Sequence, residues 1–398
     1  MDANATTPLL PEVFEAMRPY FLEQFGNASS IHFQGQQARA AVDHAREQVA
    51  ELLNCRAAEV VFTSGGTEGD NLAVFGLMRP GDHLITSAIE HHAVLHAAER
   101  LRERGFEVTF VGVNPEGVVN PEDVKRALRT ETRLISIMMA NNETGAVQPV
   151  AEIGRVAAEA DIYFHTDAVQ AAGKLPIDVK AIGCDLLTIT AHKMYGPQGI
   201  GALFVRRGTQ IEPMFFGGSH ERQRRAGTEN LPGIVGLGKA AELANTSLRS
   251  GASARIAGLR DRLEAGILAR VDEAGVNGAG PDGVPVPRTS NTTNLWFDHV
   301  EAEALLIALD LKGLAVSGGS ACQSGATEPS HVLTAMGVTA ARARASLRFS
   351  LTAMSTEEDV DFAIELVPAA VARLREISPV YVGSRRVESG VAEFAAAK

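Results

Sequence analysis

The stretch DLLTITAHKMYGPQGIGALFVR (residues 185–206) sets two short apolar runs around a connection that carries Thr190, His192, Lys193 and a Gly/Pro turn. DLLTIT (185–190) and IGALFVR (200–206) have the length and composition of strands, and five runs upstream resemble them. These are EVVFTS (59–64), DHLITS (82–87), EVTFVGV (107–113), RLISIMM (133–139) and IYFHTD (162–167). Several are apolar almost throughout, the pattern of a parallel sheet covered on both faces. Amphipathic stretches at 36–53, 92–104, 121–129 and 150–160 alternate with them, which predicts a large α/β domain. Further on, 234–272 reads as one long helix and VNGAGPDGVPVP (276–287) as a loop at a boundary. Strands at 293–298 and 346–351, with helices at 301–309 and 357–375, predict a smaller α+β domain. The expected division is 3–248 for the large domain and 249–398, with the first few residues, for the small one. The last dozen residues are expected to fray.

Composition excludes several classes of function. Of the 398 residues 45% are apolar and 21% charged, which rules out general disorder. A net charge of −11 argues against nucleic acid as the main partner, because phosphate binding needs clustered Lys and Arg. No apolar run reaches the roughly 18 residues of a membrane span. The start MDANATTPLL lacks a leader pattern, so a cytoplasmic enzyme is expected. The three cysteines (Cys55, Cys184 and Cys322) are odd in number and never at CxxC spacing. That fits a reducing compartment and leaves at least one free thiol.

In an open α/β sheet the ligand lies at the carboxyl ends of the strands, so the residues after each strand are the candidates. After the first run comes SGGTEGDN (64–71), where backbone N–H groups with Ser64 and Thr67 suit a phosphate. A plain Gly-rich turn with an N-cap fits equally. Glu90, His91 and His92 follow the second run, where a solvated His pair is the plainer reading. RLISIMM leads into NNETG, and IYFHTD ends on Asp167 with Gln170 close behind. A carboxylate buried there needs a cationic or protonated partner. Of the seven lysines, Lys193 alone lies between an apolar strand and a Gly-rich turn, the setting of an imine-forming amine. The other six, Lys174 among them, read as solvated charges. Simple pairing of Lys193 with a carboxylate stays open. A phosphate cradle, a carboxylate, an imidazole and an amine are together what pyridoxal 5′-phosphate (PLP) requires of a protein.

A second cluster is AVSGGSACQSGATEPSHVL (315–333), almost all Ser, Gly, Ala and Thr around Cys322. Buried structural cysteines sit among apolar neighbours, as Cys55 and Cys184 do. Cys322 instead lies in a segment whose composition predicts a mobile, exposed loop and a functional thiol.

With these residues in view, the chain resembles the cysteine desulfurases of the NifS/IscS type, fold-type I PLP enzymes of the class V aminotransferase superfamily. The likeness is carried in order by ANATTP, FGNASSIH, VFTSGGTEGDN, EHHAV, NNETG, HTDAVQ, HKMYGPQGIGAL, RRAGTEN, SGGSACQSG, EPSHVL and RFSL. The Cys322 segment resembles group I enzymes rather than group II. The resemblance implies a large domain with a mainly parallel seven-stranded sheet, a smaller α+β domain and a homodimer. Lys193 would hold PLP and move the substrate Cα proton, and His91 would stack on the ring. Asp167 would pair with the pyridinium nitrogen, with Gln170 and Asn142 at the phenolic oxygen. Gly66, Thr67, Thr190 and His192 would hold the phosphate, joined by Thr228 from the other subunit. Asn27 and Arg348 would bind the substrate carboxylate, Arg through its fork of donors.

The implied reaction converts L-cysteine to L-alanine through aldimine/ketimine chemistry, with sulfur left on Cys322 as a persulfide. The sulfur would then pass to an iron–sulfur scaffold protein or another acceptor. A cluster of the chain's own is not expected, since three scattered cysteines cannot supply four ligands. Gly318 and Gln323 stand where relatives often carry Ser and Thr, the start is short, and the end VAEFAAAK lacks the tail of housekeeping IscS proteins. The missing tail, TSGGTEGDN and RAGTEN lean towards the NifS subtype that serves nitrogenase. Rivals are another class V enzyme, a selenocysteine lyase, an idle scaffold, or a metal-binding protein using His91, His92 and Cys322. The joint presence of Lys193 and Cys322 favours the desulfurase.

Overall fold

In the computed structural model, which describes residues 1–280, 286–318, 329–378 and 381, all seven apolar runs form strands of one sheet. They are β1 (Val60–Thr63), β2 (His83–Ser87), β3 (Glu107–Val111), β4 (Thr132–Ser136), β5 (Tyr163–Asp167), β6 (Leu186–Thr190) and β7 (Gly201–Val205). The order is β1-β7-β6-β5-β4-β2-β3. Only β7 runs against its neighbours, so the other six present their carboxyl ends on one side. Alternate side chains go to opposite faces, which explains the continuous apolar runs. On one face Phe62, Ile135, Phe164 and Leu187 pack with Val42, Val49, Ile153 and Leu237 of helices Phe33–Leu53, Val150–Glu159 and Leu231–Arg249. On the other, Val61, Leu84, Leu134 and Leu203 pack with Leu72, Leu77 and Leu101 of helices Gly66–Leu77 and His92–Glu103. Helix Phe33–Leu53 is further tied to the sheet by Arg46, which donates to Glu221 at 2.7 and 2.8 Å and to the β1 carbonyl of Val60 at 2.8 Å.

The single helix expected over 234–272 is two, Leu231–Arg249 and Ala252–Leu268. Gly251 breaks it at φ 78, a left-handed conformation that glycine adopts without a Cβ penalty. A second, antiparallel sheet follows: β8 (Ala274–Val276), β9 (Thr292–Phe297), β10 (Ser317–Gly318) and β11 (Ser346–Ser350), in the order β10-β11-β9-β8. Leu295, Phe297, Leu347 and Phe349 form its core with Leu259, Leu263, Val360 and Val367. The described part of 276–287 lies beside this sheet, and the Pro287 carbonyl at its end accepts from Val147 N–H, beyond β4, at 2.9 Å. Asn277 is buried there and bonds to Asn294 and Ser346. The N-terminus joins this sheet too, since Asp2 bridges Ser350 and Ala3 N–H donates to the Ser350 carbonyl at 3.0 Å. Among the described residues no helix is long and apolar enough to cross a membrane.

Candidate active site

The carboxyl ends of the parallel strands and one strand of the second sheet enclose a cavity of about 380 Å³, within the usual range for small-molecule sites. After β1 the chain passes Gly65 and enters helix Gly66–Leu77 with no side chain capping its first turn. A Cβ on Gly66 would meet Val169 at 2.9 Å, so glycine lets the bare helix start lie against the end of β5. Gly66 and Thr67 line the cavity there, opposite Thr190 and His192 from the end of β6. Burial, then the neighbouring Lys193, lower His192 to about 4, so its ring is neutral and bonded to Thr6 at 3.2 Å.

His91, after β2, N-caps helix His92–Glu103: its Nδ1 accepts from Ala93 N–H at 3.2 Å. Burial and then Lys193 lower it to about 4, which makes it a neutral imidazole with its proton on Nε2. Asp167 ends β5 at 5% exposure and accepts from Val169 N–H at 2.8 Å. Burial pushes it up to about 6, against the pull of Lys193. Behind it lies Asp70, 1% exposed, whose Oδ1 has no hydrogen-bond partner. Burial and the Asp167 charge push Asp70 well up. Glu90, also buried with an unpartnered Oε2, is pushed up to about 8. The nearest ring, His165, stands 3.6 Å from Asp70, and burial lowers it to about 3, so it offers no cation. Ligand atoms of Asp70, Asp167 and His91 lie within 4.8 Å of one another. The positive groups of the cavity that these carboxylates line are Lys193 and Arg348.

Lys193 lies on the short turn after β6, and its Nζ donates to the backbone carbonyls of Asn4 and of Ala5, the latter at 2.6 Å. Gln170 and Asn142 both line the cavity. So does Arg348 of β11, 3% exposed, which donates to Asp2 at 2.8 Å and to the Asn142 carbonyl at 3.0 Å, while its Nε is unpartnered. These groups fit PLP. The bare helix start suits a phosphate, the buried carboxylates suit a protonated ring nitrogen, and Lys193 supplies the amine.

Two expected residues, Asn27 and Thr228, stand apart. Asn27 is exposed before helix Phe33–Leu53, accepts from Ser29 N–H at 2.8 Å and does not line the cavity. Thr228 lines a separate depression with Ser64 and Gly199. Cys322 lies outside the described residues, and so does the expected mobile loop. The described flanks of that segment adjoin the cavity: Ser317 pairs with Arg348, and His331 lines the cavity and bonds the Glu90 carbonyl at 2.9 Å. The other thiols are structural, Cys184 fully buried and Cys55 pushed up to about 12 by burial.

Sequence reasoning missed Asn4, Asp70 and Lys174. Asn4, 3% exposed, donates from its side chain to Asn142 and Thr292 and accepts from Lys174, Asn291, Gln170 and Lys193, joining the two sheets. Lys174 is not a solvated charge. Its amine is enclosed and donates to Gln170, four residues earlier on the same turn. The ANATTP motif was the available signal for Asn4; nothing local marked Lys174.

The Aminotransferase class-V family model matches residues 1–362. The chain is 50% identical to the cysteine desulfurase IscS of Methanosarcina thermophila, over 96% of this chain and 93% of that one. It is 47% identical to the cysteine desulfurase IscS of Dictyoglomus turgidum, over 95% and 96%. Among solved structures, a NifS-like protein superposes with a TM-score of 0.86 at 34% identity, over 93% of this chain and 98% of that one. One described as "SspA in complex with cysteine" gives 0.77 at 37% identity, over 89% and 99%. Likeness along nearly the whole chain, together with a strand-end cavity built for PLP, gives one conclusion: the chain belongs to the class-V aminotransferase family, among its PLP-dependent cysteine desulfurases.

Proposed function

We propose that this chain takes the sulfur of L-cysteine onto Cys322 and releases L-alanine. The observation that carries the reading is a pair of buried carboxylates, Asp70 and Asp167, lining the same cavity as the Lys193 amine and Arg348. A neighbour described as bound to cysteine supports the substrate. When bound, PLP supplies an electron sink for the carbon atoms of the attached amino acid.

The chain's own residues do the rest. Asp167, ionised, holds a proton on the ring nitrogen, with the neutral carboxyl of Asp70 close by. The N–H groups at Gly66 and Thr67, with Thr190 and neutral His192, bind the phosphate. Arg348 takes the substrate carboxylate through its unpartnered Nε and a terminal nitrogen. Lys193 removes the Cα proton and returns a proton to carbon, and His91 packs on the ring face. The Cys322 thiolate attacks the substrate sulfur: a sulfur–sulfur bond forms, the Cβ–S bond breaks, and its electron pair stays with Cβ until protonation. Asn27, outside the cavity, has no part in this reading.

The persulfide then passes to an acceptor, which we take to be an iron–sulfur scaffold protein in a reducing cytoplasm. A homodimer is supported by exposed Phe21, Leu22, Phe25, Phe33 and Phe216, and Thr228 would then serve the partner's phosphate. The finer lean to the nitrogenase subtype draws on TSGGTEGDN and RAGTEN and on a NifS-like neighbour, while the curated relatives carry the IscS name. The test is L-alanine formed from L-cysteine by PLP-loaded protein with a reductant, beside Cys322→Ser. Alanine from the parent and almost none from the variant is expected. PLP-bound parent that forms none contradicts the proposal.

A further inference from the structure

Lys174 follows β5 in a connection turned by Gly173 at φ 75. Its Nζ donates to Gln170 Oε1 at 2.6 Å and to Asn4 Oδ1 at 3.0 Å, and no carboxylate pairs with it among the described residues. Burial, then Lys193 and Arg348, hold its proton affinity well below that of a free lysine. An enclosed amine facing only neutral acceptors and other cations is a costly arrangement. Its geometric consequence falls on Gln170. The Asn4 carbonyl, which only accepts, takes one Nε2–H at 3.0 Å and so fixes which end of the amide is oxygen, and the Lys174 amine donates to that oxygen. Both neighbours therefore enforce one orientation, and the second Nε2–H is left for the cavity that Gln170 lines. Donation to Oε1 also polarises the amide and strengthens that remaining donor.

We propose that Lys174 is a positioning residue that locks the Gln170 amide so that its remaining N–H donates to the phenolic oxygen of the cofactor. The inference rests on the reading that this cavity holds PLP. A donor there stabilises the oxygen anion, so it lowers the pH at which the bound cofactor's absorbance changes.

The experiment is a pH titration of that absorbance in PLP-loaded parent, Lys174→Met, Gln170→Met and the double variant. Lys174→Met is expected to raise the midpoint by about one pH unit, the scale of one hydrogen bond. With Gln170 already replaced, the same change is expected to add almost nothing. Lys174→Gln, which keeps an N–H donor, is expected to recover about half of the shift and carries the test should the Met variant not fold. An unmoved midpoint, or an undiminished shift in the Gln170→Met background, overturns the inference. A parent that takes up no PLP overturns the cofactor reading instead.

Discussion

Glu221 and Asp167 are both nearly buried carboxylates, 7% and 5% exposed, in opposite surroundings. Glu221 meets both terminal nitrogens of Arg46 and a backbone N–H of Phe62, and the same guanidinium stacks 4.6 Å from the Phe62 ring. Both oxygens of Glu221 and both terminal nitrogens of Arg46 have partners inside the protein, so the pair is structural. Asp167 meets one backbone N–H, a second carboxylate, a neutral histidine and, across the cavity they share, the Lys193 amine. A buried carboxylate that faces a cavity and a reactive amine, with no bidentate partner, is a place for a ligand. Burial alone does not distinguish a scaffold from a site; the inventory of partners does.

The largest effect expected is on the cavity side. Lys193→Ala should lower alanine formation on the order of 10³-fold or more, with the melting temperature little changed. Asp167→Asn should lower it by roughly 10²–10³-fold, since the ring nitrogen loses its anionic partner. The matching change on the scaffold side, Arg46→Met, should behave in reverse. It leaves Glu221 buried without a cation and costs about 3–5 kcal/mol in denaturant unfolding, while activity per folded molecule is kept. Equal losses of activity in Asp167→Asn and Arg46→Met would dissolve the contrast.

A smaller effect lies in pH. Asp167, raised to about 6, and Glu90, raised to about 8, keep protons in the folded chain after the unfolded chain has lost them. Their contribution to the stability of cofactor-free protein is thus fully present below about 4 and is lost as pH rises through those values. Glu90→Gln should flatten the decline in melting temperature between about pH 6 and 8; an unchanged slope would contradict the assignment. The smallest effect concerns the other thiols. Cys55→Ser should keep alanine formation within about twofold, and at neutral pH an alkylating reagent should label Cys322 and spare folded Cys55 and Cys184.

The seven strands were legible because several are apolar on both faces and all are short runs between helical patterns, and the site followed from reading what comes after them. The reversal of β7 left no mark, since an antiparallel strand buried on both faces has the same composition. Gly251 was hidden among good helix formers, where one glycine is otherwise tolerated. Lys174, in the polar-looking GKLPID, is recognisable only once the fold places Asn4 and Gln170 around its amine. Asn4 itself gathers partners from positions as distant as Asn291, which no local pattern can reveal. Asn27 was named by resemblance, and the fold leaves it outside the cavity.

Two lysine amines reach Asn4, those of Lys193 and Lys174, and only Lys193 lines the cavity that Asp70 and Asp167 share. The most direct test is therefore to load the protein with PLP, reduce it with borohydride and locate the modified lysine by peptide mass spectrometry. The account predicts the label on Lys193 alone. A label on Lys174 or on a surface lysine, with Lys193 unmodified, would contradict it.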